Sequence, residues 1–360
     1  MKTLLSALTL ATAASSAIAA PTFVFDFVPG TSAQAQQGFV AAAARWSTLL
    51  HDDVTINLTV GFNELAPGIL GTAQSAQQNY DFSTFRQFLT NDRMSTADYT
   101  ATSHLPGGSN VGMLINRTAN NPNGFGSALP YLDNTGANTQ TVRITTAEAK
   151  AIGLAVAPPP VNGCVGTCDG FIQFSTRFAF DFNPTDGINA NAFDFIGVAA
   201  HEIGHALGFI SGVDILDINS SANFFHDDLF TFVSGLDMYR YSDASAAQGV
   251  IDWTADNRSK YFSIDGGVTH GPLFSNGMTH GDGRQASHWK DDSYIGLMDP
   301  TAGMGELLTI SQNDVLAMDV IGWDVMPVPE PSTCAMLGAG LLLLGGRAAR
   351  KSKIFRKSTT

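Results

Sequence analysis

The strongest constraint on this 360-residue chain is the stretch HEIGHALG at residues 201–208. Residues four apart lie on one face of an α-helix, so His201 and His205 can direct ring nitrogens at one metal ion, with Glu202 beside them. The stretch therefore predicts a helix that carries two metal ligands and a carboxylate. A catalytic zinc site takes three protein ligands and leaves a fourth position open, so a third ligand must come from elsewhere.

The residues around this motif predict which side of the helix is buried. Apolar residues recur at a spacing of three and four, on the side opposite the two histidines: Ile196, Ala199, Ala200, Ile203 and Leu207. Gly204 inside the helix costs about 1 kcal/mol relative to alanine, which suggests that another backbone segment passes close to it. Gly208 is expected to end the helix in the left-handed conformation.

Three kinds of third ligand can be tested against the sequence. A glutamate on a following helix is set aside, because no glutamate occurs between Glu202 and Glu306. A histidine three residues after the glycine would stand at position 211, which is a serine. A histidine that returns after a long insertion leaves four candidates: His226, His270, His280 and His288.

His288 is the candidate with the most informative neighbours, in the segment SHWKDDSYIGLMDP at 287–300. This segment, with HEIGHALGF before it, resembles the leishmanolysin branch of the metzincins, a clan of zinc metalloproteases. The resemblance covers about residues 193–325. It implies His201, His205 and His288 as zinc ligands, Glu202 as the catalytic base, and Met298 as the Met-turn beneath the metal.

Other readings of these residues stay open from the sequence. His280 is the best substitute for the third ligand, and Met298 also fits as an ordinary core residue, because methionine fills irregular gaps. Leishmanolysins are rich in disulfides and use a prodomain cysteine for latency, whereas the first cysteine here is Cys164. Cys164 and Cys168 lie in a glycine-rich loop and are predicted to form one small disulfide.

The expected fold is α+β, a metzincin-like zincin. A twisted mixed sheet and the active-site helix would form an N-terminal lobe, about 20–208, and a mostly irregular C-terminal lobe, about 209–328, would close the cleft. Local patterns predict a helix at 33–50 and strands at 54–62 and 171–182. The 171–182 strand is the expected edge for an extended substrate.

Both ends of the chain read as targeting segments. Residues 1–19 have the pattern of a secretory signal peptide. Residues 329–360 place Pro-Glu-Pro before a short apolar run and a basic end, which resembles the PEP-CTERM sorting signal of Gram-negative bacteria and implies an exosortase-type partner and transient membrane association. A plain membrane anchor is the alternative. These segments predict a secreted or cell-surface protein.

Charge excludes one class of partner. Residues 20–331 hold 12 basic against 32 acidic side chains, a net charge of −20, and a body with this charge repels nucleic acid.

The sequence as a whole predicts a monomeric, Zn²⁺-dependent endopeptidase acting on protein or peptide substrates. The alternative from another class is a non-catalytic matrix or surface-binding protein with a vestigial zinc site. A deformylase-type amidohydrolase is set aside, because no cysteine lies where its ligand would stand.

Overall fold

The computed structural model describes residues 19–220 and 222–325. The predicted signal peptide up to residue 18 and the predicted sorting tail lie outside the described residues. The described residues form one compact unit that ends at Val325. The division into lobes at 208/209 stays a prediction.

The described residues build a mixed α/β structure with several small sheets. The strands are β1 (Thr22–Phe27), β2 (Thr55–Asn63), β3 (Gly71–Ser75), β4 (Gln77–Asp81), β5 (Met113–Ile115), β6 (Tyr131–Asp133), β7 (Thr141–Thr145), β8 (Gly170–Ser175), β9 (Phe180–Asp181), β10 (Phe193–Asp194), β11 (Arg240–Tyr241), β12 (Ile251–Trp253), β13 (Lys260–Phe262) and β14 (Leu273–Phe274). The helices are α1 (Ala33–Ser47), α2 (Phe82–Asp92), α3 (Thr96–Ser103), α4 (Ala137–Gln140), α5 (Thr146–Ala151), α6 (Phe195–Leu207), α7 (Val213–Asn219), α8 (Asp243–Ala246) and α9 (Gln312–Val320).

The largest sheet has the strand order β1-β2-β8-β3. Strands β1, β2 and β8 are mutually parallel, and β3 pairs antiparallel with β8 at the edge. The predicted helix at 33–50 and strand at 54–62 are confirmed as α1 and β2. No described helix has both the length and the apolar character needed to span a bilayer.

The prediction for residues 171–182 is wrong in two respects. Strand β8 ends at Ser175, and it lies inside the sheet rather than at its edge. The alternation of apolar and polar residues continues in the sequence beyond Ser175 because Phe180 and Phe182 also pack on the core. Their ring centroids lie 5.7 and 4.4 Å from that of Phe195. A local period of two reports burial on one face, but it carries no information about which strands pair on either side.

Helix α6 packs against α1 through the predicted apolar face. The Trp46 indole N–H of α1 donates to the Ala200 carbonyl at 2.8 Å, and Ala199, Ala200 and Ile203 are fully buried. Asp194 caps the helix by accepting from the Gly197 N–H at 2.9 Å. This apolar face therefore fixes the orientation of α6. The histidines lie on the opposite side of the helix.

The two glycines of α6 have different functions. An added Cβ at Gly204 would lie 2.6 Å from the Met298 sulfur and 3.3 Å from the Trp46 ring. The expected close neighbour is thus a side chain, and the prediction of a backbone segment is wrong. Gly208 has a φ of 127° and ends the helix, as predicted.

Beyond Gly208 the described residues form only short elements, including α9, which has a Ser311–Asp314 capping box. The predicted disulfide between Cys164 and Cys168 is confirmed. It closes a small loop immediately before β8 and packs with Val161 and Ala76.

Acidic side chains meet where α2, α3 and α9 approach the last described residues. Ser95 Oγ donates to Asp319 at 2.7 Å, and the Asp324 N–H donates to Asp52 at 3.1 Å. Burial, reinforced by neighbouring carboxylates, raises the pKa of Asp52 to about 8 and those of Asp92 and Asp319 to about 7. These groups bind protons more tightly in the folded protein than in the unfolded chain, where an aspartate titrates near about 3.9.

We therefore expect stability to fall as the pH rises. The folded state holds more protons between about pH 4 and pH 8, so the free energy of unfolding decreases across that window. We expect the melting temperature to drop by about 5 °C or more from pH 5 to pH 8. Asp52→Asn should flatten this dependence, because the amide keeps an acceptor for Asp324 and loses the titration. The exposed neighbour Asp53 serves as control, and an equal flattening in Asp53→Asn would contradict the assignment.

Candidate metal centre

The three histidines predicted as ligands meet at one point. The Nε2 atoms of His201 and His205 are 3.1 Å apart, and His288 Nε2 lies 3.2 Å from that of His205 and 3.3 Å from that of His201. Two of the rings come from α6 and the third from the loop 83 residues beyond His205. Throughout residues 19–220 and 222–325 this is the one cluster of His, Cys, Asp or Glu with metal-binding spacing.

Backbone carbonyls determine which nitrogen of each ring carries the proton. His201 Nδ1 lies 2.8 Å from the Leu297 carbonyl, His205 Nδ1 2.7 Å from that of Phe209, and His288 Nδ1 3.3 Å from that of Gln285. A carbonyl can only accept, so each Nδ1 is the donor. The Nε2 lone pairs of the three neutral rings therefore point at one another.

This arrangement fits a tetrahedral metal ion. Converging lone pairs at such distances repel unless a cation lies among them. Zinc–imidazole bonds of about 2.0–2.1 Å in tetrahedral geometry place the ligand nitrogens roughly 3.3–3.4 Å apart. The observed separations are close to this value, and a set of three imidazoles leaves one position of the tetrahedron open for water or substrate.

The protonation states also suit metal binding. Burial lowers the pKa of all three histidines, to about 3 for His205, and the neighbouring rings lower the values of His205 and His288 further. The rings are therefore neutral at neutral pH. Neutral imidazole is the form that binds a metal, so ligation requires no loss of a proton in this range.

Glu202 is buried against the edge strand of the largest sheet. It is 6% exposed, and an added Cβ at Gly71 of β3 would lie 2.8 Å from Glu202 Oε1, so the carboxyl group contacts this glycine directly. Burial raises the pKa of Glu202 to about 8. A dication at the histidines acts in the opposite direction, because it favours the carboxylate. The two effects on the pKa of Glu202 therefore oppose each other.

The other histidines lie away from this centre. His280, the best alternative from the sequence, bonds through Nε2 to Ser220 Oγ at 2.6 Å. His270 stacks on Tyr261 with ring centroids 3.9 Å apart. Met298 is fully buried and its side chain packs against α6 at Gly204; its role as a Met-turn beneath the metal stays a prediction.

Strand β3 is the feature that the sequence did not reveal. Its residues GTAQS show neither alternation nor β-branched enrichment, so no local signal marks them. Ser175 N donates to Leu70 O and Ala76 N donates to Asp169 O, both at 2.8 Å. The even-numbered residues of β3 therefore form the main-chain hydrogen bonds to β8. The main-chain N–H and C=O groups of Gly71, Ala73 and Ser75 point away from β8, towards the open edge of the sheet. Ser75 Oγ also donates to the His205 carbonyl at 3.0 Å, which joins this edge to α6.

Comparison with known proteins identifies the tail. Residues 327–351 match the PEP-CTERM protein-sorting motif and overlap the predicted tail at 329–360. This motif marks proteins of Gram-negative bacteria for export and cell-surface sorting by an exosortase-type enzyme. Neither a curated protein nor a solved structure matches the chain.

Proposed function

We propose that this protein is a zinc-dependent endopeptidase of the metzincin type that acts outside the cell. The observation that carries the proposal is the convergence of three Nε2 lone pairs, with Glu202 directly after the first of these histidines on the same helix. His201, His205 and His288 would hold the ion. When bound, zinc supplies Lewis acidity and lowers the pKa of coordinated water to about 7.

Glu202 is the proposed general base. It is one residue from a ligand, yet its carboxyl group contacts Gly71 rather than the histidine nitrogens. From this position it accepts the proton of the attacking water and returns that proton to the leaving amine. A residue with more than a hydrogen atom at position 71 would push the carboxyl away, which explains the glycine there.

Strand β3 is the proposed substrate edge, in place of the 171–182 segment. The outward main-chain groups of Gly71, Ala73 and Ser75 can pair with an extended peptide by strand addition. No other described strand occupies this edge. Because Gly71 contacts Glu202 and Ser75 bonds to the helix at His205, a peptide on this edge runs beside the metal centre.

The test is cleavage of casein or gelatin by the purified body, residues 20–328. We expect one zinc per chain, proteolysis that stops on removal of the metal by a chelator, and recovery when zinc is restored. Full zinc occupancy without any cleavage would instead favour the non-catalytic surface-binding protein.

Removal of the sorting motif should separate targeting from activity. All the proposed catalytic residues precede Pro329, so deletion of residues 329–360 should yield an active protease that is released without a membrane stage. In the native host, we expect an exosortase-type enzyme to cut the intact protein near Pro329-Glu330-Pro331. Mass spectrometry of the mature C-terminus checks this, and an extracellular form that still ends at Thr360 would contradict it.

A further inference from the structure

The carboxylate of Asp314 lies at a junction between three segments of the metal centre. It is fully buried in the first turn of α9. Its Oδ1 accepts from the Trp289 indole N–H at 2.8 Å and from the Met298 N–H at 3.2 Å. Its Oδ2 accepts from the N–H groups of Leu297 and Ser311, both at 2.7 Å.

Three of these four donors lead directly to a histidine of the triad or to Met298, and the fourth, Ser311, caps α9. Trp289 follows His288 in the chain. Leu297 donates its N–H to Asp314, and its carbonyl accepts from His201 Nδ1 at 2.8 Å. One carboxylate therefore holds the loop of the third ligand, the backbone of the Met-turn, and the acceptor that orients the first ligand.

The charge of Asp314 has no basic partner. No Lys or Arg among the described residues forms an ion pair with it. A fully buried carboxylate is costly without compensation. Its four hydrogen-bond donors supply part of that compensation, and a cation bound at the histidines would supply a further part.

The surrounding backbone is shaped around the carboxylate. An added Cβ at Gly296 would lie 2.4 Å from Asp314 Oδ2 and 2.6 Å from Oδ1. A side chain at this position would push the Met-turn away from α9. The absence of a side chain at Gly296 is thus what permits the hydrogen bonds from Leu297 and Met298.

We propose that Asp314 is the positioning residue of the metal centre, holding His201, His288 and the Met-turn in ligating geometry and balancing the charge of the bound ion. This inference rests on the proposed function, because it takes the triad to be a metal site. Hydrogen bonds behind the ligands of a metal site typically change metal affinity about 10–100-fold when they are lost.

The test compares Asp314→Asn with Asp237→Asn in the full chain. The amide keeps the shape of the side chain, but its NH₂ group then faces two N–H donors. Asp237 is a matched control: it is also buried and accepts from an indole, Trp253 Nε1 at 3.0 Å, and from two backbone N–H groups at 2.9 Å. The Asp237 carboxylate, however, makes no hydrogen bond to the three histidines or to the Met-turn.

Two measurements distinguish positioning from general stability. We expect Asp314→Asn to weaken zinc binding, measured by competition with a chelator, about 10–100-fold relative to Asp237→Asn. We also expect the visible absorption bands of the cobalt-substituted protein to shift in Asp314→Asn and to match the parent in Asp237→Asn. Equal zinc affinities and unchanged bands in both variants would overturn the proposal.

A milder variant covers the case in which Asp314→Asn does not fold. Trp289→Phe keeps a buried ring and removes one donor to Asp314, and we expect zinc binding to weaken about 3- to 10-fold. Parent-like affinity in that variant would also overturn the positioning role. If the parent itself bound no zinc, the proposed function would fail, whereas parent binding with unaltered variants would refute only the role of Asp314.

Discussion

Glu202→Gln is expected to retain one zinc per chain and to lose about 10²–10⁴-fold in kcat, the usual contribution of a general acid-base group. The amide has the shape of the carboxyl group but cannot accept the proton of the attacking water. The three histidines keep their carbonyl partners in this variant, so metal binding should be close to that of the parent. Zinc content by elemental analysis and cleavage of a fluorogenic casein measure the two effects separately.

Glu148→Gln provides the matched control. Among the residues that the structure describes, Glu148 of α5 is the other buried glutamate, and its carboxylate oxygens accept no hydrogen bond. Both variants therefore replace a buried glutamate by its amide, but only one lies at the histidines. We expect Glu148→Gln to cleave casein within a few-fold of the parent. Comparable activity in Glu202→Gln would remove Glu202 from the mechanism.

His288→Ala is expected to abolish cleavage and to weaken zinc binding by more than the about 10–100-fold that loss of a supporting hydrogen bond costs. Two imidazoles on one helix would remain, and a catalytic zinc site takes three protein ligands. Chelator competition and casein cleavage measure the two losses.

His280→Ala is the control for the third ligand, because it removes an imidazole from the same inserted region. His280 bonds to Ser220 and has no contact with the triad, so its loss should leave both zinc affinity and turnover near parental values. Loss of the metal in His280→Ala but not in His288→Ala would mean that the inserted segment supplies its ligand earlier in the chain.

The metal helix could be predicted from the sequence because its information is local. A spacing of four on a helix puts His201 and His205 side by side, and the apolar positions opposite them identify the face that packs against α1. Helix α1, strand β2, the glycine that ends α6 and the small disulfide are local features of the same kind, and the structure bears them out.

The position of His288 was predicted in a different way. No local pattern places a residue 83 positions from His205 beside it, and the prediction depended on the resemblance of the HW and LMDP segments to a known family. In the structure the triad closes through contacts made by the neighbours of His288. The Trp289 N–H donates to the Met298 carbonyl at 2.9 Å, and the Trp289 indole donates to Asp314.

The sequence by itself thus determined the two candidate ligands and the neighbouring carboxyl group on α6, and the sorting motif at the end of the chain. Only the tertiary structure decided that β3 rather than residues 171–182 forms the free edge, that the Met298 side chain fills the space at Gly204, and that Asp314 connects the ligand segments. The physical reason is the separation in sequence of the residues that interact. Helical periodicity and capping act between residues a few positions apart, whereas strand order and buried carboxylate contacts depend on segments that meet only when the chain has folded.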